Sequence, residues 1–211
     1  MTNLFLVLHI VGGTLGLLSG LFVLCAQKGT LWHMRAGRIY AVSMIVAACS
    51  ALVLSVVHPN AFLFIVGIFT LYLVASGWRY IRWPQRMHAA RTDWLIMILM
   101  LLFSGGFFSR GAALLFGGET FGLVLVVFGM ISLLMCAQDF RNFTGRSPVA
   151  NFWLTTHLQR MTGGYIASLT AFLVVNNTFL PALMAWMLPT VLLTPLIFFW
   201  TKKYRAKSGA R

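Results

Sequence analysis

Seven long apolar stretches follow one another along this chain of 211 residues. A helix needs roughly 20 apolar residues to cross a bilayer. Because backbone N–H and C=O groups in lipid must be paired within the segment, stretches of this length are predicted to be helices. The predicted helices are Leu4–Cys25, Gly37–Val57, Ala61–Ile81, Thr92–Phe108, Phe121–Gln138, Asn151–Val175 and Leu180–Thr201.

The composition indicates that lipid, and not water, surrounds most of the surface. Hydrophobic residues make up 60% of the chain and charged residues only 9%, whereas a soluble domain averages about 25% charged residues. We therefore predict an all-α integral membrane protein, with residues 1–211 forming one domain of seven transmembrane helices in the lipid bilayer. Catalytic triads, phosphate-binding loops and paired membrane carboxylates are missing from the sequence, so an enzyme is not favoured.

The basic residues predict the orientation of the chain. Alternate connections and the C-terminal tail hold 14 of the 16 lysines and arginines, and the remaining connections hold none. Basic loops stay in the cytosol, so the N-terminus is predicted outside and the C-terminus inside a bacterial inner membrane. The same rule explains the net charge of +13 without nucleic acid as a partner. These residues are Lys28, Arg35, Arg38, Arg79, Arg82, Arg86, Arg91, Arg141, Arg146, Lys202, Lys203, Arg205, Lys207 and Arg211.

A strip of small residues runs along the first predicted helix. Gly12, Gly16 and Gly20 are spaced four apart, so they share one helix face on which another helix can approach closely. The partner helix can belong to the same chain or to a second copy, which would make a homo-oligomer. A flat ligand is a further alternative for the same strip.

The sixth predicted helix carries an arginine inside the apolar region. His157 and Arg160 are three residues apart and lie on one helix face. A buried arginine is costly unless it is paired or binds an anion. Asp93 and Asp139 are the acids on the predicted cytosolic side, so they are the candidate partners, and Asp93 is also placed to cap the fourth helix.

Three histidines recur near the predicted cytosolic starts of alternate helices. An arginine follows each of the three histidines His33, His88 and His157, and these arginines are Arg35, Arg91 and Arg160. Arg38 also follows His33 closely. If these helices are neighbours, so much positive charge would repel unless an anion or an anionic lipid headgroup bound there. The pattern predicts a ligand site at His33, Arg35, Arg38, Tyr40, His88, His157 and Arg160.

Haem is a second candidate ligand, because histidines within helix bundles commonly bind it. The candidates for metal or haem b are His9, His33 and His157. His9 lies toward the opposite membrane face from His157, so a haem would be held between His33 and His157.

Several short motifs resemble a known family. His9-Ile10 precedes the glycine strip, His33-Met34-Arg35-Ala36-Gly37-Arg38-Ile39-Tyr40 enters the second helix, and Met87-His88 is followed by Arg91. These segments resemble the bacterial predicted membrane proteins of the domain of unknown function 2306. One departure is that no tryptophan follows His88 within three residues. The resemblance covers the first half of the chain and implies an uncharacterised multi-helix membrane protein with His9, His33, Arg38, Tyr40 and His88 as candidate site residues.

Three functional hypotheses follow. The first is a small transporter or binding protein with a cytosolic-side site for an anion or a lipid headgroup. The second is a haem protein that transfers electrons in the membrane. The third is a structural or assembly subunit of a membrane complex, which would use the glycine strip and the many aromatic residues as contact surfaces.

Overall fold

The chain folds into a helical bundle. The computed structural model describes residues 2–86 and 88–205, with the backbone only at 182 and 183; Met87, Lys207 and Arg211 lie outside these residues. Helices and connections account for the described residues, and no strand occurs among them. The helices are α1 (Thr2–Cys25), α2 (Leu31–Val57), α3 (Ala61–Tyr80), α4 (Trp83–Arg86), α5 (Arg91–Phe116), α6 (Phe121–Phe143), α7 (Phe152–Asn176) and α8 (Ala182–Tyr204).

Six of the long helices are long and apolar enough to cross a membrane. They are α1, α2, α3, α5, α6 and the part of α8 from Met184 to Tyr204. Helix α7 is as long as these six, with 25 residues, but it is more polar. Its buried residues include Thr155, Thr156, Arg160 and Thr162, which face protein and not lipid.

Helices α2, α5 and α6 extend further than the apolar stretches predicted. Helix α2 begins at Leu31 and not at Gly37, because Thr30 caps it by accepting a hydrogen bond from the backbone N–H of His33 at 3.3 Å. Helix α6 continues to Phe143 and not Gln138. A charged residue ends an apolar stretch but not the helix, because the hydrogen bonds of the helix join backbone groups and do not depend on the polarity of the side chains. The sequence pattern also missed the short helix α4.

Helix α3 occupies the centre of the bundle. It contacts α2 and α7 closely, and also touches α5 and α6. Helices α1 and α2 pair closely, as do α5 and α6, and α7 also contacts α8. The connections 26–30 and 144–151, the described residues between α3 and α5, and the end of α8 lie at one end of the bundle, which we call the basic end.

The glycine strip of α1 makes the close approach that its spacing predicts, and it does so within one chain. Gly12, Gly16 and Gly20 are the buried residues of α1. A Cβ atom added to Gly12 would lie 3.0 Å from the carbonyl oxygen of Ser43, and one added to Gly20 would lie 2.5 Å from Tyr165 Cδ2. Helices α2 and α7 therefore cover this face, and a homo-oligomer built on the same strip stays a prediction.

A second close approach joins α5 to α6 at the end opposite the basic end. A Cβ atom added to Gly122 would lie 2.5 Å from the carbonyl oxygen of Gly111 and 2.9 Å from the backbone nitrogen of Leu115. Both neighbours are backbone atoms, so no side-chain rotation can make room. The two helices therefore require glycine at this crossing.

The side chain of Lys28 links the segment between α1 and α2 to α8. Its Nζ donates hydrogen bonds of 2.9 Å to the carbonyl oxygens of Val23 and Leu24, which end α1 without an intrahelical partner. The ammonium group also lies 4.1 Å from the ring centroid of Trp200, a cation–π distance. Partial burial lowers the pKa of the Lys28 ammonium below its ordinary value.

Candidate functional site

A cavity of about 190 Å³ opens at the basic end between α6, the 144–151 connection, α7 and α8. Two arginines line it, Arg141 from α6 and Arg205 from the end of α8. Its other polar walls are neutral amides and hydroxyls. These side chains are Gln138, Asn142, Ser147, Thr155, Thr156, Gln159 and Thr201.

The lining favours a negatively charged ligand. Guanidinium, amide N–H and hydroxyl groups all donate hydrogen bonds, and none of the described residues that line the cavity is acidic. The hydroxyl of Thr201 is buried without a hydrogen-bond partner among the described residues. The cavity therefore offers donors and positive charge to an oxoanion, which carries several acceptor oxygens.

Two side-chain hydrogen bonds between α6 and α7 close the inner wall of the cavity. Gln138 Nε2 donates to Gln159 Oε1 at 3.0 Å. Asn142 Nδ2 donates to Thr156 Oγ1 at 3.3 Å and to the hydroxyl of Tyr80 at 3.1 Å. The wall is thus built from polar side chains that can exchange partners with a ligand.

A buried ion pair lies behind this wall. Arg160 is 0% exposed and Asp139 is 1% exposed, and Arg160 Nη2 donates to Asp139 Oδ1 at 2.8 Å. The hydroxyls of Tyr72 and Tyr80 donate to the two carboxylate oxygens at 2.5 and 2.8 Å. Asp139 was one of the two acids predicted as partners of Arg160, and the structure confirms that pairing.

Only some of the N–H groups of the Arg160 guanidinium have a hydrogen-bond acceptor among the described residues. Nη2 also donates to the carbonyl oxygen of Met135 at 2.9 Å, and the guanidinium carbon lies 4.6 Å from the ring centroid of Tyr72. Gly77 lets α3 approach at this level, because a Cβ atom there would lie 2.9 Å from Arg160 Cβ. Nε and Nη1 have no hydrogen-bond partner among the described residues.

The other predicted acid has a structural role. Asp93 accepts a hydrogen bond from the backbone N–H of Ala90 at 2.8 Å, which confirms the predicted cap at the start of α5. It also pairs with Arg79 and with Arg86, the latter at 2.7 Å. These contacts join the 81–90 connection to α3 and α5, away from the cavity.

The histidines do not form one cluster. His157 Nδ1 lies 2.8 Å from the carbonyl oxygen of Gly77, and His33 is close enough to His157 to influence it electrostatically. His88 is exposed on the connection before α5. His9 Nδ1 lies 2.9 Å from the carbonyl oxygen of Ala47. His33 and His157 therefore lie within electrostatic range of each other, and each histidine bonded to a carbonyl oxygen has one ring nitrogen left.

The remaining predicted site residues lie outside the cavity lining. Arg35 and Arg38 are exposed on the first turns of α2, and the Arg35 guanidinium lies 6.0 Å from the Trp32 ring. Tyr40 is buried, and its hydroxyl donates to the carbonyl oxygen of Met161 at 3.1 Å. Helix α3 packs between α2 and α5, which separates the helix starts that were expected to meet. A ligand role for these residues stays a prediction.

Sequence reasoning missed most of the residues that build the cavity. Arg141 and Arg205 were assigned only to the charge bias, and the amides Gln138, Asn142 and Gln159 were not considered. One signal was available. Gln138 and Asn142 are four apart on α6, and Thr155 and Gln159 are four apart on α7, so each pair marks a polar stripe on one helix face.

Comparison of the chain with protein-family models, curated proteins and solved structures found no match. The resemblance to the domain of unknown function 2306 rests on the short motifs of the first half and stays a prediction. Among the described residues, no three histidine, cysteine, aspartate or glutamate side chains gather in a metal-binding arrangement. The haem and assembly-subunit hypotheses stay predictions as well.

Proposed function

We propose that all seven long helices cross a bacterial inner membrane, with the N-terminus outside and the basic end in the cytosol. Six helices are apolar enough to do so. Helix α7 packs against α3 and α8, and its polar residues face the interior, which allows a polar helix to span. The basic connections at one end support the orientation.

A reporter that is active only outside the cytosol tests this orientation. Fused after Gly118, in the connection between α5 and α6, it is expected to be active. Fused after Gly145, in the next connection, it is expected to be silent. The matched pair differs by the single helix α6, so activity of the Gly145 fusion together with silence of the Gly118 fusion would reverse the orientation.

We also propose that the cavity binds a phosphate group or a similar oxoanion, as a free anion or as the headgroup of a lipid, in a small transporter or binding protein. The observation that carries the proposal is the lining, which combines Arg141 and Arg205 with neutral donors and includes no acidic residue among those described. A phosphate group matches these donors because its oxygens accept several charge-assisted hydrogen bonds at once.

Two features of helix α8 favour a transporter over a protein that only binds the ligand. It forms one wall of the cavity through Thr201 and holds Pro189 and Pro195 within the helix. Each proline lacks the N–H that would bond one turn back. A helix weakened at two points can bend, and bending α8 would change the width of the cavity.

Binding of inorganic phosphate to the purified chain tests this function. Arg141→Gln is expected to weaken phosphate binding about tenfold or more, because a charge-assisted hydrogen bond contributes about 1.5–3 kcal/mol. Calorimetric titration in detergent measures the change. Arg146→Gln is the matched control, since Arg146 is exposed on the connection that follows α6 and does not line the cavity.

The lipid composition of the membrane distinguishes a lipid headgroup from a free anion as the ligand. In nanodiscs of phosphatidylcholine alone, the wild-type protein should bind phosphate as in detergent. If phosphatidic acid in the disc blocks this binding and the Arg141→Gln protein no longer enriches phosphatidic acid, the ligand is the headgroup. Equal phosphate affinities of the Arg141→Gln and Arg146→Gln proteins, with equal lipid enrichment, would contradict the proposal.

A further inference from the structure

In the proposed membrane arrangement, the cavity lies at the depth of the lipid phosphates. The apolar stretches that form α6 and α8 end at Gln138 and Thr201, and both residues line the cavity. The hydrocarbon core of a bilayer ends where such apolar stretches end, and the headgroups begin there. A ligand in this cavity is therefore level with the phosphates of the inner leaflet.

The connection between α6 and α7 lies over the cytosolic side of the cavity. Ser147, Pro148 and Val149 of this connection line the cavity. Two residues further on, Asn151 Nδ2 donates a hydrogen bond of 2.6 Å to the carbonyl oxygen of Tyr204, which holds the connection against the end of α8. The connection therefore stands between much of the cavity and the cytosol.

Helices α6 and α8 form two sides of the cavity without packing closely against each other. Helix α6 packs against α5 and touches α3, whereas α8 packs against α7. Within the described part of the chain, α6 and α8 are not among the helix pairs in close contact. Helix α7 lies between them and contacts the central helix α3, so the space between α6 and α8 faces the bilayer.

An apolar stripe runs along α6 from the cavity toward the middle of the membrane. Ile131 lies seven residues before Gln138, and Leu134 and Val127 lie seven and fourteen residues before Arg141. Seven residues are close to two helical turns, so these side chains share a face with the residues that line the cavity. All three are exposed, so the described part of the chain leaves this stripe uncovered.

Helix α8 carries a similar stripe on its cavity side. Phe198 and Val191 lie seven and fourteen residues before Arg205, and they are 71% and 60% exposed. The stripes on the two helices begin at the level of the arginines and run along the apolar part of the bundle. We call the space between them the α6–α8 groove, formed by Val127, Ile131, Leu134, Val191 and Phe198.

The cavity and the groove together match the two parts of an anionic phospholipid. The cavity volume of about 190 Å³ is below the roughly 300–1,000 Å³ of typical small-molecule sites, so it has room for a phosphate group but not for acyl chains. The groove presents apolar side chains where an acyl chain of the same lipid would run. A free oxoanion would use the cavity alone.

We propose that the ligand is an anionic phospholipid of the inner leaflet, which enters sideways between α6 and α8, places its phosphate group between Arg141 and Arg205, and lays an acyl chain in the α6–α8 groove. This inference rests on the proposed oxoanion function, because the same cavity binds the phosphate group. The cavity selects the headgroup, since bulk lipid tails are as apolar as the groove. The groove sets the direction of entry.

Phosphatidic acid with a photoreactive diazirine in its acyl chain reports where that chain lies. The purified full chain is irradiated in phosphatidylcholine nanodiscs, and the labelled residues are identified by mass spectrometry. The wild type is expected to carry label near Leu134 and Phe198. Arg141→Gln should reduce this labelling about tenfold, because a charge-assisted hydrogen bond to the phosphate is lost, to the level given by a phosphatidylcholine analogue with the same chain. Arg146→Gln should label like the wild type.

A second variant changes the groove and not the cavity. Leu134→Trp places a larger side chain in the groove, and the crowding is expected to reduce labelling near Phe198 by phosphatidic acid about tenfold. Leu133→Trp is the matched control, because Leu133 shares a helix face with Gly129 and Cys136, which contact α5. Both proteins should bind inorganic phosphate like the wild type, which shows that they fold.

Phosphate titration of the same preparations separates the two proposals. Suppose that phosphate binds in an Arg141-dependent manner, but the phosphatidic acid and phosphatidylcholine analogues label the groove equally. The ligand is then a free oxoanion, so the lipid inference is wrong and the cavity function stands. Equal labelling of the Leu134→Trp and Leu133→Trp proteins near Phe198 would also overturn the groove. If phosphate binding does not depend on Arg141, both proposals are wrong.

Discussion

Replacement of Asp139 by alanine is expected to lower the free energy of unfolding by about 3–5 kcal/mol. The substitution leaves the Arg160 guanidinium, which is 0% exposed, without its counter-charge. It also removes the acceptor for the hydroxyls of Tyr72 and Tyr80. Unfolding in mixed micelles with increasing SDS measures the loss.

The control for this prediction removes both charges together. Asp139→Asn with Arg160→Gln keeps side chains of similar size and leaves no unpaired ion. Removing one partner of a buried ion pair leaves an uncompensated charge, whereas removing both charges does not, so the double variant should be clearly more stable than Asp139→Ala. A double variant that is as unstable as Asp139→Ala would show that the lost stability does not come from the stranded charge.

Replacement of Gly122 by alanine is expected to destabilise the α5–α6 pair by about 1–3 kcal/mol, as overpacking at a tight contact does. The new Cβ atom would lie 2.5 Å from the carbonyl oxygen of Gly111 and 2.9 Å from the backbone nitrogen of Leu115. Only a shift of one helix relative to the other can relieve these contacts. The midpoint of thermal unfolding in detergent measures the effect.

Gly106→Ala is the matched control on α5. A Cβ atom at Gly106 would meet no atom within 4 Å, and alanine favours a helix over glycine. This variant should therefore be as stable as the wild type or slightly more stable. If Gly122→Ala melts at the same temperature as Gly106→Ala, α5 and α6 are not packed as closely as described.

The local features of the fold were predictable from the sequence because each depends on residues close together in the chain. Long apolar runs predicted the helices. The four-residue spacing of Gly12, Gly16 and Gly20 predicted a close helix approach, which α2 and α7 make. The acid at position 93 predicted the cap of α5. Each of these rests on the geometry of one helix, which repeats every 3.6 residues.

The candidate site was less predictable because it joins residues 138–159 to residues 201–205, which are distant from them in sequence. The charge bias showed which side chains lie at the basic end but not which of them are neighbours. That order depends on packing, such as the approach of α3 to α7 that Gly77 permits beside Arg160. Helix α3 also lies between α2 and α5, which places His88 apart from His33. The pairing of Arg160 with Asp139 could be predicted because Asp93 and Asp139 are the acids on the predicted cytosolic side.

The position of a bound oxoanion is the most direct test of the proposed function. An experimental structure determined with tungstate, an electron-dense oxoanion, should show it in the cavity between Arg141 and Arg205, within hydrogen-bond distance of donors on α7 such as Thr155 or Gln159. The same experiment with Arg141→Gln should show weaker density there. Tungstate bound only at other basic residues, with the cavity empty in the wild type, would contradict the account.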